Sequence, residues 1–240
     1  MDDKEMLKVI VIGVGGLVYG GLTRMANFLV RQEVDELVLI DGDSIEEKNK
    51  RRQWANRVGM HKVCVAGAML RELRGHDVAI REIARMYERG AAGFEGAVGE
   101  CDEEVMVIVL PDNDRARIAA YEWAKEISGI VESGTCFLVM AGNGLDSGYA
   151  SGCVWAGGQE CKGDVLARRP EIALEARKEE EMIAHPQGCG DMGGEEQSVQ
   201  ANMLTAYCVW EVADALLRGE VGEYRWQAEE KRRYIVEDMK

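Results

Sequence analysis

At 240 residues the chain has room for one domain, or for one domain carrying a large insertion. Hydrophobic residues make up 47% and charged residues 30%, which excludes disorder of the whole chain. The 29 basic and 43 acidic residues give a formal charge of −14. This argues against a general binder of nucleic acid or anionic membrane, but permits one phosphate ligand held by backbone amides and a few cations.

Residues 8–12 (KVIVI) form a β-branched apolar run that meets the glycine cluster Gly13-Val14-Gly15-Gly16. A helical pattern follows, with Leu17, Leu22, Met25, Ala26, Leu29 and Val30 at mostly three- and four-residue steps. ELVLI at 36–40 reads as a second buried strand ending in Asp41. Strand, glycine turn, helix and strand make a βαβ unit. The polar stretch 41–60 has no clear periodicity, residues 62–74 read as a helix, and 77–83 alternate like a strand. Residues 86–99 are glycine-rich and loop-like; MVIVLPDND at 106–114 is a buried strand ending in a polar turn. A helix over 115–128 and a strand between Ile130 and Met140 follow. The fold class expected is α/β, a Rossmann-like, doubly wound and mostly parallel sheet.

From 142 the character changes. NGLDSGYASGCVWAGGQE reads as a hairpin or a pair of short strands, and 171–182 as a charged helix on a long crossover of about 160–195. The glycine-rich loop 185–194 precedes a helix at about 196–217, which Arg218-Gly219 can close. The tail reads as one or two strands, giving the sheet an antiparallel C-terminal part.

Cys64, Cys101, Cys136, Cys153, Cys161, Cys189 and Cys208 are odd in number and include no CxxC pair, so zinc is not expected. Cys64, Cys136 and Cys208 fall on apolar faces and are expected in the core. A nonstandard metal site of Cys153, Cys161 and Cys189 is a minor alternative. The start MDDKEMLKVIVIG is acidic, and its apolar run suits a strand rather than a signal segment. A reducing cytoplasm and free thiols are expected. AYCVWEVADALL is too short and too charged to span a membrane.

The glycines at 13, 15 and 16 suit a turn whose N–H groups approach phosphate at a helix N-terminus. Val18 stands where a third fingerprint glycine would fall, so the GxGxxG match is incomplete, and a tight turn without ligand is the plain alternative. Asp41 is placed to bond a ribose, or simply to cap a turn in Asp-Gly-Asp-Ser. Asp43, Asn49, Arg52, Gln53 and Lys62 follow closely. These amides and cations exceed what a ribose needs and suit a triphosphate, although charge runs are often only solvated loops. Asp112-Asn113 ends a later strand, where ligands of doubly wound sheets bind and an Asp can hold Mg²⁺.

Together the residues VIGVGGL…LVLIDGDSIEEKNKRRQ…HK…VLPDND resemble the ThiF/MoeB and ubiquitin-activating enzyme superfamily. Asp41, Asp43, Asn49, Arg52 and Gln53 match the pattern D-x-D-x(5)-N-x-x-R-Q. The resemblance covers residues 7–140 in motif terms, and the strand-and-helix plan runs on to 217. It implies a single adenylation domain over 1–240, with a nucleotide-binding half (1–140) and a carrier-binding half (141–240). The implied reaction is attack by the C-terminal carboxylate of a ubiquitin-like or sulfur-carrier protein on the α-phosphate of ATP. Asp41 would hold the ribose, and Asn49, Arg52, Gln53 and Lys62 the triphosphate, while Asp112 would hold Mg²⁺. Cys189, between two glycines before the last long helix, would form a thioester, with His185 nearby.

The sequence departs from the family at Val18, in a shorter loop from Gln53 to Lys62, in an N-terminal arm without arginine, and in lacking two CxxC pairs. Segment 134–152 and the Gln/Asn-bearing last helix (Gln197, Gln200, Asn202) are similar to the PRTRC-system ThiF proteins, found beside ubiquitin-like and JAB-type protease genes. A conjugating enzyme and a homodimer are further implied partners. An NAD(P)-dependent oxidoreductase and a noncatalytic adaptor are the alternative readings.

Overall fold

The β-branched runs become the centre of a nine-stranded sheet. Leu7–Ile12 (β1), Glu36–Ile40 (β2), Ala79–Ile83 (β3), Glu104–Val109 (β4) and Thr135–Asn143 (β5) are parallel and lie in the order β3-β2-β1-β4-β5. The sheet continues antiparallel through Ser147–Ala156 (β6), Glu223–Glu229 (β8) and Arg233–Met239 (β9), while Gln159–Lys162 (β7) pairs with β6 alone. This is the mostly parallel, Rossmann-like α/β sheet with an antiparallel C-terminal part that the sequence predicts. A computed structural model describes residues 7–49, 57–74, 78–87, 104–130, 134–184, 198–229 and 233–239.

Burial on both faces explains why the central strands are continuous apolar runs rather than alternating ones. Val9, Val11, Leu37, Leu39, Met106 and Ile108 face one helical layer. It is formed by Gly16–Arg31 (α1), Lys62–Arg74 (α2) and Val199–Leu217 (α6). Ile10, Ile12, Val38, Ile40, Val107 and Val109 face the other layer. That side carries Asp114–Ser128 (α3), the short Val165–Arg168 (α4) and Pro170–Ala184 (α5). Among the described residues, no helix is long and apolar enough to cross a membrane.

The segment after 142 forms the hairpin that was one of its two expected readings, β6 and β7 pairing antiparallel across Gly157-Gly158, but its first strand is not short. β6 runs for ten residues, because its glycines make room for a helix rather than for a loop. A Cβ on Gly152 would lie 2.6 Å from Val212 Cγ1 of α6, so the small residue lets α6 lie directly on the sheet. The last helix begins at Val199, where the Ser198 hydroxyl accepts the Ala201 N–H at 3.0 Å. Gly219, at φ +77°, follows its final turn. Cys136, Cys153 and Cys208 are buried and Cys64 is half-buried. Burial pushes the Cys208 thiol up to about 12.

Candidate functional site

The C-terminal ends of the parallel strands make one edge of the sheet. β1 ends there in Gly13, at φ +88°, whose N–H donates to Ile40 O at 2.9 Å. A Cβ on Gly13 would lie 2.7 Å from Pro111 N, so this glycine is required by both its dihedral and its neighbour. Gly15 caps α1 from an extended conformation, with no side-chain bond to the helix end and nothing within 4 Å of where its Cβ would be. The space beside Gly15 is open and the first turn of α1 carries neither a side-chain cap nor an acidic residue, an arrangement that suits an anion. Gly16 answers a different demand: a Cβ there would lie 2.7 Å from Asn202 Cγ on α6. Val18, the departure from the glycine fingerprint, is buried in the core between these helices.

Asp41 ends β2 and ties the edge together. One carboxylate oxygen accepts the Val14 N–H and the other the Asp43 N–H, each at 2.7 Å. The residue read as a ribose ligand or a turn cap thus braces the glycine turn. Burial raises its pKa, while Lys62 and the two N–H donors pull it the other way. Lys62 opens α2, its Nζ 2.6 Å from Asp43 Oδ2, and the side chain is 11% exposed against 56% for Asp43. Its carbonyl accepts the Tyr19 hydroxyl at 2.9 Å, and burial drives that phenol well above its ordinary pKa.

Asn49 lies in the 3₁₀ turn Glu47–Asn49 and is 3% exposed. Its Oδ1 accepts the Glu46 N–H at 2.8 Å, so the amide oxygen shapes the loop. Asp112 is exposed at the end of β4, and Asn113 next to it caps α3 by accepting the Ala116 N–H at 2.8 Å. Arg52, Gln53, His185 and Cys189 lie outside the described residues. Among those described, no group of three or more His, Cys, Asp or Glu could hold a metal ion.

Asp112 also borders a cavity of about 690 Å³ that sequence reasoning missed. Its walls come from distant parts of the chain: Arg117 on α3, Asn143 on β5, Tyr149 on β6, Arg169 before α5, and Arg225 and Trp226 on β8. The Arg169 guanidinium sits 3.8 Å over the Tyr149 ring and reaches Glu223, 1% exposed, at 3.2 Å. Arg225 shares the same carboxylate. Arg117 pairs with Asp114 at 2.5 Å. Beside Asp112, Glu179 of α5 accepts the Asp114 and Arg115 N–H groups at 3.1 and 2.9 Å, which clamps the crossover helix onto the start of α3. The only sequence signal for these walls was the Gly142-Asn143-Gly144 break between strands.

The same architecture occurs in solved structures. The crystal structure of PaaA matches with a TM-score of 0.65 at 19% identity, over 96% of this chain and 72% of that one. E. coli MccB with ATP matches at 0.63 and 16% identity, over 97% of this chain. The fold is ThiF-like. The chain spans only 63% of the length of that MccB. MccB has also been solved with AMPCPP and MccA, and, as a microcin C7 biosynthetic enzyme, with N-formylated MccA. No protein-family model and no curated protein matches the chain.

Proposed function

We propose that this chain activates a carboxylate by ATP-dependent adenylation, taking the C-terminus of a ubiquitin-like or sulfur-carrier protein. The observation that carries the reading is the shared edge. The uncapped start of α1 at Gly15, the Asp41 brace, Lys62 and Asp112 lie along one edge of the sheet, beside a cavity with room for a peptide tail. The likeness in fold to enzymes solved with ATP and with a peptide supports it.

The amides of Gly15 and Gly16 and the Lys62 ammonium would receive the phosphates, and Asp41 the ribose. Lys62 already has an acidic partner in Asp43, so phosphate would draw the ammonium from an exposed carboxylate. Asn49, Arg52 and Gln53 would complete the triphosphate site. Asp112 would hold Mg²⁺, which offsets charge on the phosphates when bound. A carboxylate oxygen of the tail attacks the α-phosphorus, and the bond from that phosphorus to the bridging oxygen breaks. Pyrophosphate leaves with the electron pair. The protein's share is positioning and charge compensation.

Cys189 would then attack the acyl carbon as a thiolate, releasing AMP and leaving a thioester. A cytoplasmic homodimer, serving a conjugating enzyme or a system with a JAB-type protease, is the setting this reading favours. Pyrophosphate exchange into ATP, measured with a matched carrier, should depend on that carrier and collapse in Arg52→Ala. No exchange with the matched carrier sinks the reading. Stabilisation by NADH rather than ATP·Mg in a thermal shift would favour the oxidoreductase instead.

A further inference from the structure

Asn202 is a primary amide with no exposure, on the face that α6 turns toward α1; Ala206 and Trp210 continue that face, and the carboxylates of Glu211 and Asp214 farther along are paired to Arg24 and Arg31. An apolar side chain of similar volume would fill this place without burying polar atoms. The amide is satisfied on one side only. Its Oδ1 accepts the Asn143 Nδ2 at 3.0 Å, while its own Nδ2 has no hydrogen-bond partner among the described residues. That free donor lies against Gly16, so close that the interface requires a glycine there. Gly16 opens α1, whose first turn has neither a side-chain cap nor an acidic residue to complement its amides. A buried carboxamide with an unfilled donor, from a helix near the other end of the chain, therefore lies against the residue that opens α1. Asn143 lines the cavity that Asp112 borders, so the amide pair spans from the glycine turn to the cavity.

We propose that Asn202 is a ligand-binding residue. Its Nδ2 donates to a phosphate oxygen of a nucleotide seated on the first turn of α1, and Asn143 is the positioning residue that fixes the amide's orientation. Asn143 holds the acceptor end of Asn202, which leaves the donor end toward Gly16. An anion with several acceptor lone pairs suits this set; a neutral apolar ligand would leave every one of these donors unfilled. The inference rests on the nucleotide reading above and adds to it a contact from α6, which none of the glycine-turn residues supplies.

The test uses the full chain, with ATP·Mg and adenosine as probes in parallel titrations. The wild type should bind ATP more tightly than adenosine. Asn202→Asp keeps the size and the oxygen that accepts from Asn143 Nδ2 but replaces the donor by an acceptor-only carboxylate oxygen; it should weaken ATP binding about tenfold or more and leave adenosine binding unchanged. ATP binding at the wild-type level in Asn202→Asp overturns the inference and leaves the nucleotide reading standing. No ATP binding by the wild type overturns both. If Asn202→Asp does not fold, Asn143→Ala decides. About threefold weaker ATP binding with unchanged adenosine binding supports the pair, and unchanged ATP binding removes it.

Discussion

The glycine turn and the cavity share an edge of the sheet but are built in opposite ways. The turn is a backbone structure: Gly13 to Gly16 are consecutive, Asp41 and Asp43 follow the next strand of the same βαβ unit, and backbone N–H groups donate to the Asp41 carboxylate. The cavity is assembled from α3, β5, β6, β8 and the start of α5, and its walls are long side chains held by shared ion pairs. The difference teaches where fragility lies. The turn depends on dihedral angles and close approach, so single backbone-level changes break it. The cavity depends on charge pairs, so removing one partner leaves another charge buried.

The sharpest break should come from Gly13→Ala. It combines a positive φ with a Cβ 2.7 Å from Pro111 N, and should lower unfolding stability by about 3 kcal/mol in urea melts. Gly15→Ala, one position from Val14 and facing open space, should cost under about 0.5 kcal/mol. Equal losses would refute the division between the two glycines.

On the cavity side, Arg169→Ala leaves Glu223 with Arg225 as its remaining partner and strips the cation from Tyr149. A loss of about 2 kcal/mol is expected, reduced because Arg225 still compensates the carboxylate. A change within error in the same melts would show that Arg225 alone neutralises it.

Lys62→Ala should separate binding from stability. We expect ATP affinity to fall about tenfold, or about 1.4 kcal/mol, with a smaller loss of stability because Asp43 is exposed. Calorimetric titration beside a denaturant melt measures both, and a large stability loss with normal affinity would place Lys62 among structural ion pairs.

The smallest effect concerns Asp41. Its folded-state pKa is raised above the ordinary value of 3.8, so the folded protein holds this proton more tightly than the unfolded chain. The destabilising contribution is fully present above the folded pKa and vanishes below the unfolded one. Wild-type stability relative to Asp41→Asn should therefore rise as pH falls through that window. Paired melts across it should show a difference below about 1 kcal/mol, and one of opposite sign would mean that Lys62 and the two N–H donors outweigh burial.

How much of this was legible in the sequence follows from the same contrast. The central strands β1, β2 and β4 were readable because both faces are buried and each is an apolar run rich in β-branched residues, whereas β3, at the sheet edge and without a fully buried residue, was readable from its alternation. The glycine turn and Asp41 were readable because each directly follows an apolar strand run of one βαβ unit. The length of β6 was not, since Gly148 and Gly152 look like loop residues until α6 and β8 lie against them. Asn49 was placed near its loop, but its part in shaping the 3₁₀ turn depends on a bond to Glu46 that spacing alone does not reveal. The cavity was invisible because Arg117, Tyr149, Arg169 and Arg225 share no sequence neighbourhood; only the sheet order brings them together. The Glu179 clamp was hidden in a helix whose charge density reads as solvation.

The contact of α1 with α6 carries a consequence for how this sequence can drift. Gly16, Gly20 and Gly21 all face α6: a Cβ on Gly20 would lie 3.1 Å from the Asn202 backbone, and one on Gly21 2.7 Å from Ala206 Cβ. These three set the spacing between two helices whether or not anything binds at the turn. A descendant that lost all chemistry would still be held to them, while Gly15 would be free to vary. In a library randomised over the turn and selected only for folding, Gly15 is therefore the position whose retention would report on a ligand.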